Sequence, residues 1–259
     1  MAANAEDIKS NYNEVGSAII ELMYTENYLS IGGESSTDRL ATMSNLPTGA
    51  RVLDVGCGIG GPALHLAHRY DCHVSGLDLV ESNIAQCVRR ASERGLGDRT
   101  HFRQGDALAM PYDDHAFDVV WGQDAWCHVP DKPALIRECA RVVKRSGTIA
   151  FTDWVAAQPG GGGLNEAFYD AAATPNLFTR EDYTKALEEC GLTIECNEDI
   201  SADFNAQYRD ILARLHEQRA TLEERYSEKV YAIVEGKNAV IGEAFQSGAL
   251  GGALIVARA

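Results

Sequence analysis

The sequence predicts an α/β fold built on a doubly wound, mostly parallel sheet, and two observations carry that prediction. Between Arg51 and Val155 short β-rich apolar runs alternate with amphipathic stretches, the rhythm of parallel strands joined by crossover helices. Within that region VLDVGCGIGG, residues 52–61, runs from a strand through glycines toward a helix, a turn in which a ligand can approach the backbone and a helix N-terminus.

The elements follow in order. Asp7 to about Met23 reads as one helix, with Tyr12, Val15, Ile19, Leu22 and Met23 on a shared face. Candidate strands are Arg51–Val55, His73–Leu77, Thr100–Arg103, Phe117–Trp121 and Thr148–Thr152. Leu64, Leu66 and Ala67 mark the buried side of the first crossover helix. The next two run from Glu81 to Arg94, with Ile84, Cys87, Val88 and Ala91 at helical spacing, and from Lys132 to Lys144, with Leu135, Ile136, Cys139 and Val142. Gly95 and Gly147 stand where C-terminal caps fall. Beyond a glycine-rich break at Pro159–Gly163, Thr179 to Asp182 forms a capping pattern for a helix reaching Cys190. A strand near Leu192–Cys196, one or two helices from Ala206 to about Val234 and a strand at Ala253–Ala257 complete the chain.

The 259 residues are 45% hydrophobic and 24% charged, an ordinary globular composition that supports a substantial core. The formal charge of −15 argues against nucleic acid or an anionic membrane as partner, because phosphate binding needs clustered cations. Seven cysteines without a CxxC pair suggest neither a zinc ribbon nor a disulfide framework. Glu6 and Asp7 stand where a signal peptide needs basic residues, and no apolar run approaches a membrane span. A cytoplasmic protein is expected, with no metal site, since no oxygen-ligand cluster follows calcium or magnesium spacing.

Gly56, Gly58 and Gly61 satisfy the GxGxxG spacing of dinucleotide sites, so a nicotinamide enzyme fits these glycines taken alone. Asp54, two residues before the first glycine, tips the balance: it would repel a pyrophosphate and attract the ammonium of an amino-acid cofactor. Asp78 ends the next strand at the separation of a ribose-binding acid. Asp106, after the third strand, can accept from an adenine amino group.

With these motifs in view, the chain resembles the class I S-adenosylmethionine-dependent methyltransferases. LDVGCGIGG, GLDL, GDALAMPY, FDVVWGQDAWCHVPD and ECARVVKRSGTIAFTDW carry the match over about residues 50–155. The resemblance implies a Rossmann-like seven-stranded sheet with its last strand antiparallel. It also implies S-adenosyl-L-methionine as cofactor, leaving as S-adenosyl-L-homocysteine, with Asp54, Gly56, Cys57, Gly58, Asp78, Leu79, Asp106, Ala107 and Gln123 beside it. One methyltransferase domain over residues 1–259 follows: a helical cover at 1–49, a cofactor core at 50–156, acceptor-covering additions with the remaining strands at 157–248, and the last strand at 249–259.

YNEVGSAIIELMYTENYLSIGG, residues 12–33, is similar to the entry segment of phosphoethanolamine methyltransferases, and QDAWCHVPDK, residues 123–132, to a loop of sarcosine/dimethylglycine N-methyltransferases. These resemblances place Tyr12 and His128 across the methyl acceptor, Asp124 beside it, and Tyr28, Ser30, Gly32 and Gly33 along the cofactor cavity. An amine attacks a methyl group only when neutral, and His128 has the side chain suited to take its proton near neutral pH. Tyr12 can hold that imidazole or close the site. Trp126 and Trp154 are candidates for an aromatic wall around the acceptor, whereas Trp121, among apolar strand residues, reads as core. In LNEAFYDAAATPNLFTREDY the sole basic residue is Arg180, which disfavours a phosphate-bearing acceptor. Arg209 and Arg214 are weak candidates for a carboxylate partner.

The expected reaction is therefore in-line methyl transfer to a small amine such as sarcosine or dimethylglycine, by a monomer or homodimer. An O-, C- or N-methyltransferase of natural products, of the sugar- or tocopherol-modifying type, is the alternative. A nicotinamide oxidoreductase calls for a YxxxK pair that this chain lacks, and a non-enzymatic scaffold would not need cofactor and acceptor motifs together.

Overall fold

The structure, a computed structural model, describes residues 5–259. The first four residues assigned to the helical cover lie outside the described residues. The chain runs α1 (Ala5–Asn11), α2 (Glu14–Met23), α3 (Gly33–Met43), β1 (Arg51–Val55), α4 (Gly61–Arg69), β2 (His73–Asp78), α5 (Glu81–Glu93), β3 (Thr100–Gln104), β4 (Phe117–Gln123), α6 (Lys132–Val142) and β5 (Val143–Ala156). It continues through α7 (Glu166–Ala172), α8 (Arg180–Glu189), β6 (Thr193–Asp199), α9 (Ser201–Glu217), α10 (Arg219–Arg225), α11 (Glu228–Ser247) and β7 (Leu250–Arg258).

The seven strands lie in the order β3-β2-β1-β4-β5-β7-β6. Strands β1 to β5 pair in parallel, and β7 runs antiparallel to β5 on one side and β6 on the other. This is the predicted α/β class with its antiparallel last strand. Alternate residues of each strand face opposite layers: Val52, Val119, Trp121 and Ala150 face one core with α4, α5, α9 and α11, while Leu53, Val55, Val120 and Ile149 face the other with α6 and α8. The order reverses between β1 and β4, and ligands of open α/β sheets sit at such a switch point, outside the carboxyl ends of the strands.

Several local expectations are corrected. The single N-terminal helix is two, because Asn13 leaves the helix and its side chain accepts from Val15 N and Gly16 N as a cap. Val15, in the first turn after that break, is 48% exposed rather than part of a buried face. On α5 the buried line is Asn83, Cys87 and Ala91, at i, i+4, i+8, and Val88, turned about 100° from Cys87, faces solvent. Gly95 does follow a helix end with positive φ, but Gly147 caps nothing. It lies inside β5, which begins at Val143 directly after α6, and a Cβ there would meet Val143 Cγ2 at 2.7 Å. The stretch from Ala206 resolves into three helices rather than one or two, and α3 has no counterpart in the sequence reading. The capping box at Thr179 and Asp182 is present as read.

Candidate active site

A cleft opens at the carboxyl ends of β1, β2 and β4, at the switch point, lined among others by Asp54, Gly56, Asp78, Asp106, Gln123, Asp124 and His128. At its floor β1 breaks into the glycine turn. Gly56 has φ +81°, and a Cβ there would lie 2.5 Å from Ala125 Cβ, so both its conformation and its contact exclude a side chain. Gly58 N donates to Asp78 Oδ2 at 2.8 Å and Val80 N to Asp78 Oδ1 at 2.9 Å, which fixes that carboxylate at the end of β2.

The polar groups on this side are incompletely used. Asp54 is buried, and its Oδ2 has no partner among the described residues. Burial, reinforced by the charge of Asp78, pushes its carboxyl up to about 8. Asp78 is pushed up to about 6 by burial against the pull of the Val80 and Gly58 amides. Ser30 Oγ and Gln123 Nε2 also lack partners. Gln123 is oriented by its oxygen, which accepts from Thr37 Oγ1 at 2.9 Å and Trp121 Nε1 at 3.0 Å. Cys57, Leu79 and Ala107 line the cleft, and Asp106 stands exposed at its mouth, accepting from Leu108 N.

The opposite wall is closed on itself. Tyr12 Oη donates to His128 Nε2 at 2.8 Å, so Nδ1 carries the ring proton and donates to the Ala173 carbonyl at 3.0 Å. Burial holds this imidazole down at about 4 and the Tyr12 phenol well above its ordinary range. Both are uncharged at neutral pH. Asp124, in the left-handed region at φ +53°, accepts from Ile31 N at 2.7 Å and Thr152 Oγ1 at 2.8 Å. Its carboxyl is pushed up to about 7 by burial, partly offset by those two donors. Trp126 lines the cleft with its indole tied to Val55 O and stacked on Phe151.

Six expected contacts are not at this cleft. Tyr28 lies beneath it, packed against Gly61, where a Cβ would meet its ring at 2.9 Å. Gly32 and Gly33 begin α3 behind Ser30 rather than lining the cavity. Trp154 packs edge-on against Tyr208 and Phe245 under the C-terminal helices, so the aromatic wall reduces to Trp126. Arg209 is exposed, and Arg214 Nε is spent on Met23 O. Trp121 is core, as read. The sequence reading missed Ile8, Leu108, Val129 and Pro130, which form an apolar rim, and Asn83, which joins Asp78 to Ser17 Oγ and thus to the backbone of Tyr12. Their chemistry gives no motif; only the fold gathers them. Among the described residues no Lys or Arg lines the cleft. Among the described residues no three His, Cys, Asp or Glu side chains group to hold a metal, and no helix is long and apolar enough to cross a membrane.

Residues 53–151 match the family model described as a methyltransferase domain. The chain is 37% identical over 172 residues to 27-O-demethylrifamycin SV methyltransferase of Amycolatopsis mediterranei, covering 64% of this chain and 62% of that protein. It is 31% identical over 203 residues to phosphoethanolamine N-methyltransferase 1 of Triticum aestivum, covering 78% of this chain and 39% of that protein. The chain thus spans less than two thirds of the length of these curated relatives. A crystal structure from Galdieria sulphuraria, provisionally assigned as a sarcosine dimethylglycine methyltransferase, superposes with a TM-score of 0.77 at 24% identity, over 87% of this chain and 83% of that one. The domain match spans the glycine turn, the strand-end acids and the β4 loop that build this cleft, so residues 53–151 are a methyltransferase domain, consistent with the class I S-adenosylmethionine-dependent methyltransferases.

Proposed function

We propose that the protein transfers a methyl group from S-adenosylmethionine to the nitrogen of a small amine that carries no phosphate. The residues of the cleft fit the cofactor: the unpartnered Asp54 carboxylate suits an ammonium, Ser30 and Gln123 offer donors to a carboxylate, and Asp78 and Asp106 suit ribose and adenine groups. When bound, the cofactor supplies a methyl group activated on a sulfonium.

The chain's own residues do the rest. Asp124 presents an acceptor for the amine proton and the Nε2 lone pair of His128 becomes a second once Tyr12 releases it, and neither nitrogen of the resting imidazole is charged to repel a cation. Tyr12, which lines the cleft and bonds His128, relays or releases that proton and closes the site to water. Trp126 gives an aromatic face to a methylated ammonium. The observation that carries the reading is the Tyr12–His128 pair beside a cleft rich in carboxylates and free of Lys and Arg. That lining suits a cationic, zwitterionic or neutral acceptor and disfavours phosphoethanolamine, although relatives methylate it.

One observation favours a second reading, a larger natural-product acceptor such as a sugar or tocopherol type: the rim of Ile8, Leu108, Val129 and Pro130 is apolar, and the rifamycin enzyme is a relative. Mass spectrometry of products from glycine, sarcosine, dimethylglycine, ethanolamine, phosphoethanolamine and histidine decides. Gain of one CH₂ on sarcosine or dimethylglycine supports the small-amine reading. Bound cofactor with no product across the panel supports the second.

A further inference from the structure

Lys132 is fully buried, with 0% of its surface exposed. An ammonium in that position is costly unless every proton finds an acceptor. Here three protons face four oxygens: Cys127 O at 3.3 Å, Val129 O at 3.1 Å, Asn176 O at 2.9 Å and Asn176 Oδ1 at 2.7 Å. The first two belong to the residues on either side of His128. The other two belong to the loop between α7 and α8, which also supplies the Ala173 carbonyl that His128 Nδ1 bonds. Cys127 is held from its other side as well, its N–H donating to the buried Asp153 at 3.1 Å, and Thr174 Oγ1 donates to the Cys127 carbonyl. A buried cation and a buried carboxylate therefore grip the residue before His128, while the cation also grips the loop that orients its ring.

We infer that Lys132 is a positioning residue: its ammonium ties the 127–129 and 173–176 segments together and so fixes which nitrogen of His128 carries the proton. This rests on the proposed role of His128 only for its consequence in catalysis; the geometry stands without it. If the Ala173 carbonyl drifts from Nδ1, the imidazole is free to protonate at Nε2 instead. It then can no longer accept from Tyr12.

The test reads the imidazole directly, in ¹⁵N-labelled full-length protein without ligand, with the His128 signals identified by their loss in His128→Gln. Wild type is expected to show a single tautomer, protonated at Nδ1. Lys132→Met is expected to show the two nitrogens averaged by tautomer exchange, with S-adenosylhomocysteine affinity held within about twofold. Asn176→Ala, which removes one acceptor and its Nδ2 bond to Pro130 O, is expected to show partial averaging, and it decides alone if Lys132→Met does not fold. A single Nδ1-protonated tautomer retained in the folded variants overturns the inference. Equal methyl transfer by His128→Ala and wild type would instead overturn the catalytic reading and leave the tautomer result standing.

Discussion

The two walls of the cleft differ in how they use their polar atoms. On the proposed cofactor wall Asp54 Oδ2, Ser30 Oγ and Gln123 Nε2 are buried without partners among the described residues, so a ligand with matching polar groups would complete the wall. On the acceptor wall Tyr12 Oη and both nitrogens of His128 are engaged within the protein. Buried polar groups without partners cost stability in the free protein, so the first wall is strained toward binding. The second is satisfied at rest and must break a bond to admit the acceptor. On the proposed function, affinity is built into one wall and gating into the other.

The largest effect that would test this division is on the acceptor wall. His128→Ala is expected to lower turnover by about 100- to 1000-fold, within the range of general base catalysis, while S-adenosylhomocysteine affinity stays within about twofold. Steady-state kinetics beside calorimetry measure both, and a parallel loss of affinity would erase the distinction between the walls.

Asp54→Asn should act in the opposite sense. Loss of a charge-assisted bond to the cofactor ammonium is expected to weaken binding by about 10- to 100-fold. Stability follows the reverse trend. The Asp54 carboxyl is held at about 8 against its usual 3.8, so the folded state binds the extra proton between those values. Its contribution is full below pH 3.8 and is lost as pH rises through 8. The ligand-free Asn variant should therefore gain in Tm relative to wild type as pH is raised from about 5 to 8; a variant-minus-wild-type difference that stays flat or falls would refute the burial of this charge.

Gly56→Ala should cost cofactor binding and about 1–3 kcal/mol of stability, from positive φ and the approach of Ala125, seen as a lower Tm and a lost calorimetric signal. Tyr12→Phe gives the smallest change. It removes the donor to His128 Nε2 and keeps the ring, so a loss of about 10-fold in turnover with unchanged cofactor affinity is expected. No change would mean that Tyr12 acts by shape alone.

The same division explains what the sequence made legible. Asp54, Gly56, Asp78 and Asp106 lie at strand ends, where local spacing along the chain decides position, and each was found there. His128 and Tyr12 came from resemblance, since 116 residues separate them and no local pattern joins them. Trp154 was misplaced because a strand's end does not say which helices cover it: Tyr208 and Phe245 do so from α9 and α11. Lys132 reads in the sequence only as the start of a helix. Only the meeting of two loops 44 residues apart reveals it as buried.

The unpartnered carboxylate of Asp54 has a consequence for measuring binding at all. At pH 7 the free cleft holds a proton there, and an arriving ammonium displaces it to the medium. The heat of binding should then vary with the ionisation enthalpy of the buffer, and affinity should climb as the solution is made more alkaline, up to the point where the ligand's own amine begins to titrate. Each filling of the site leaves its trace in the solvent, countable in hydrogen ions.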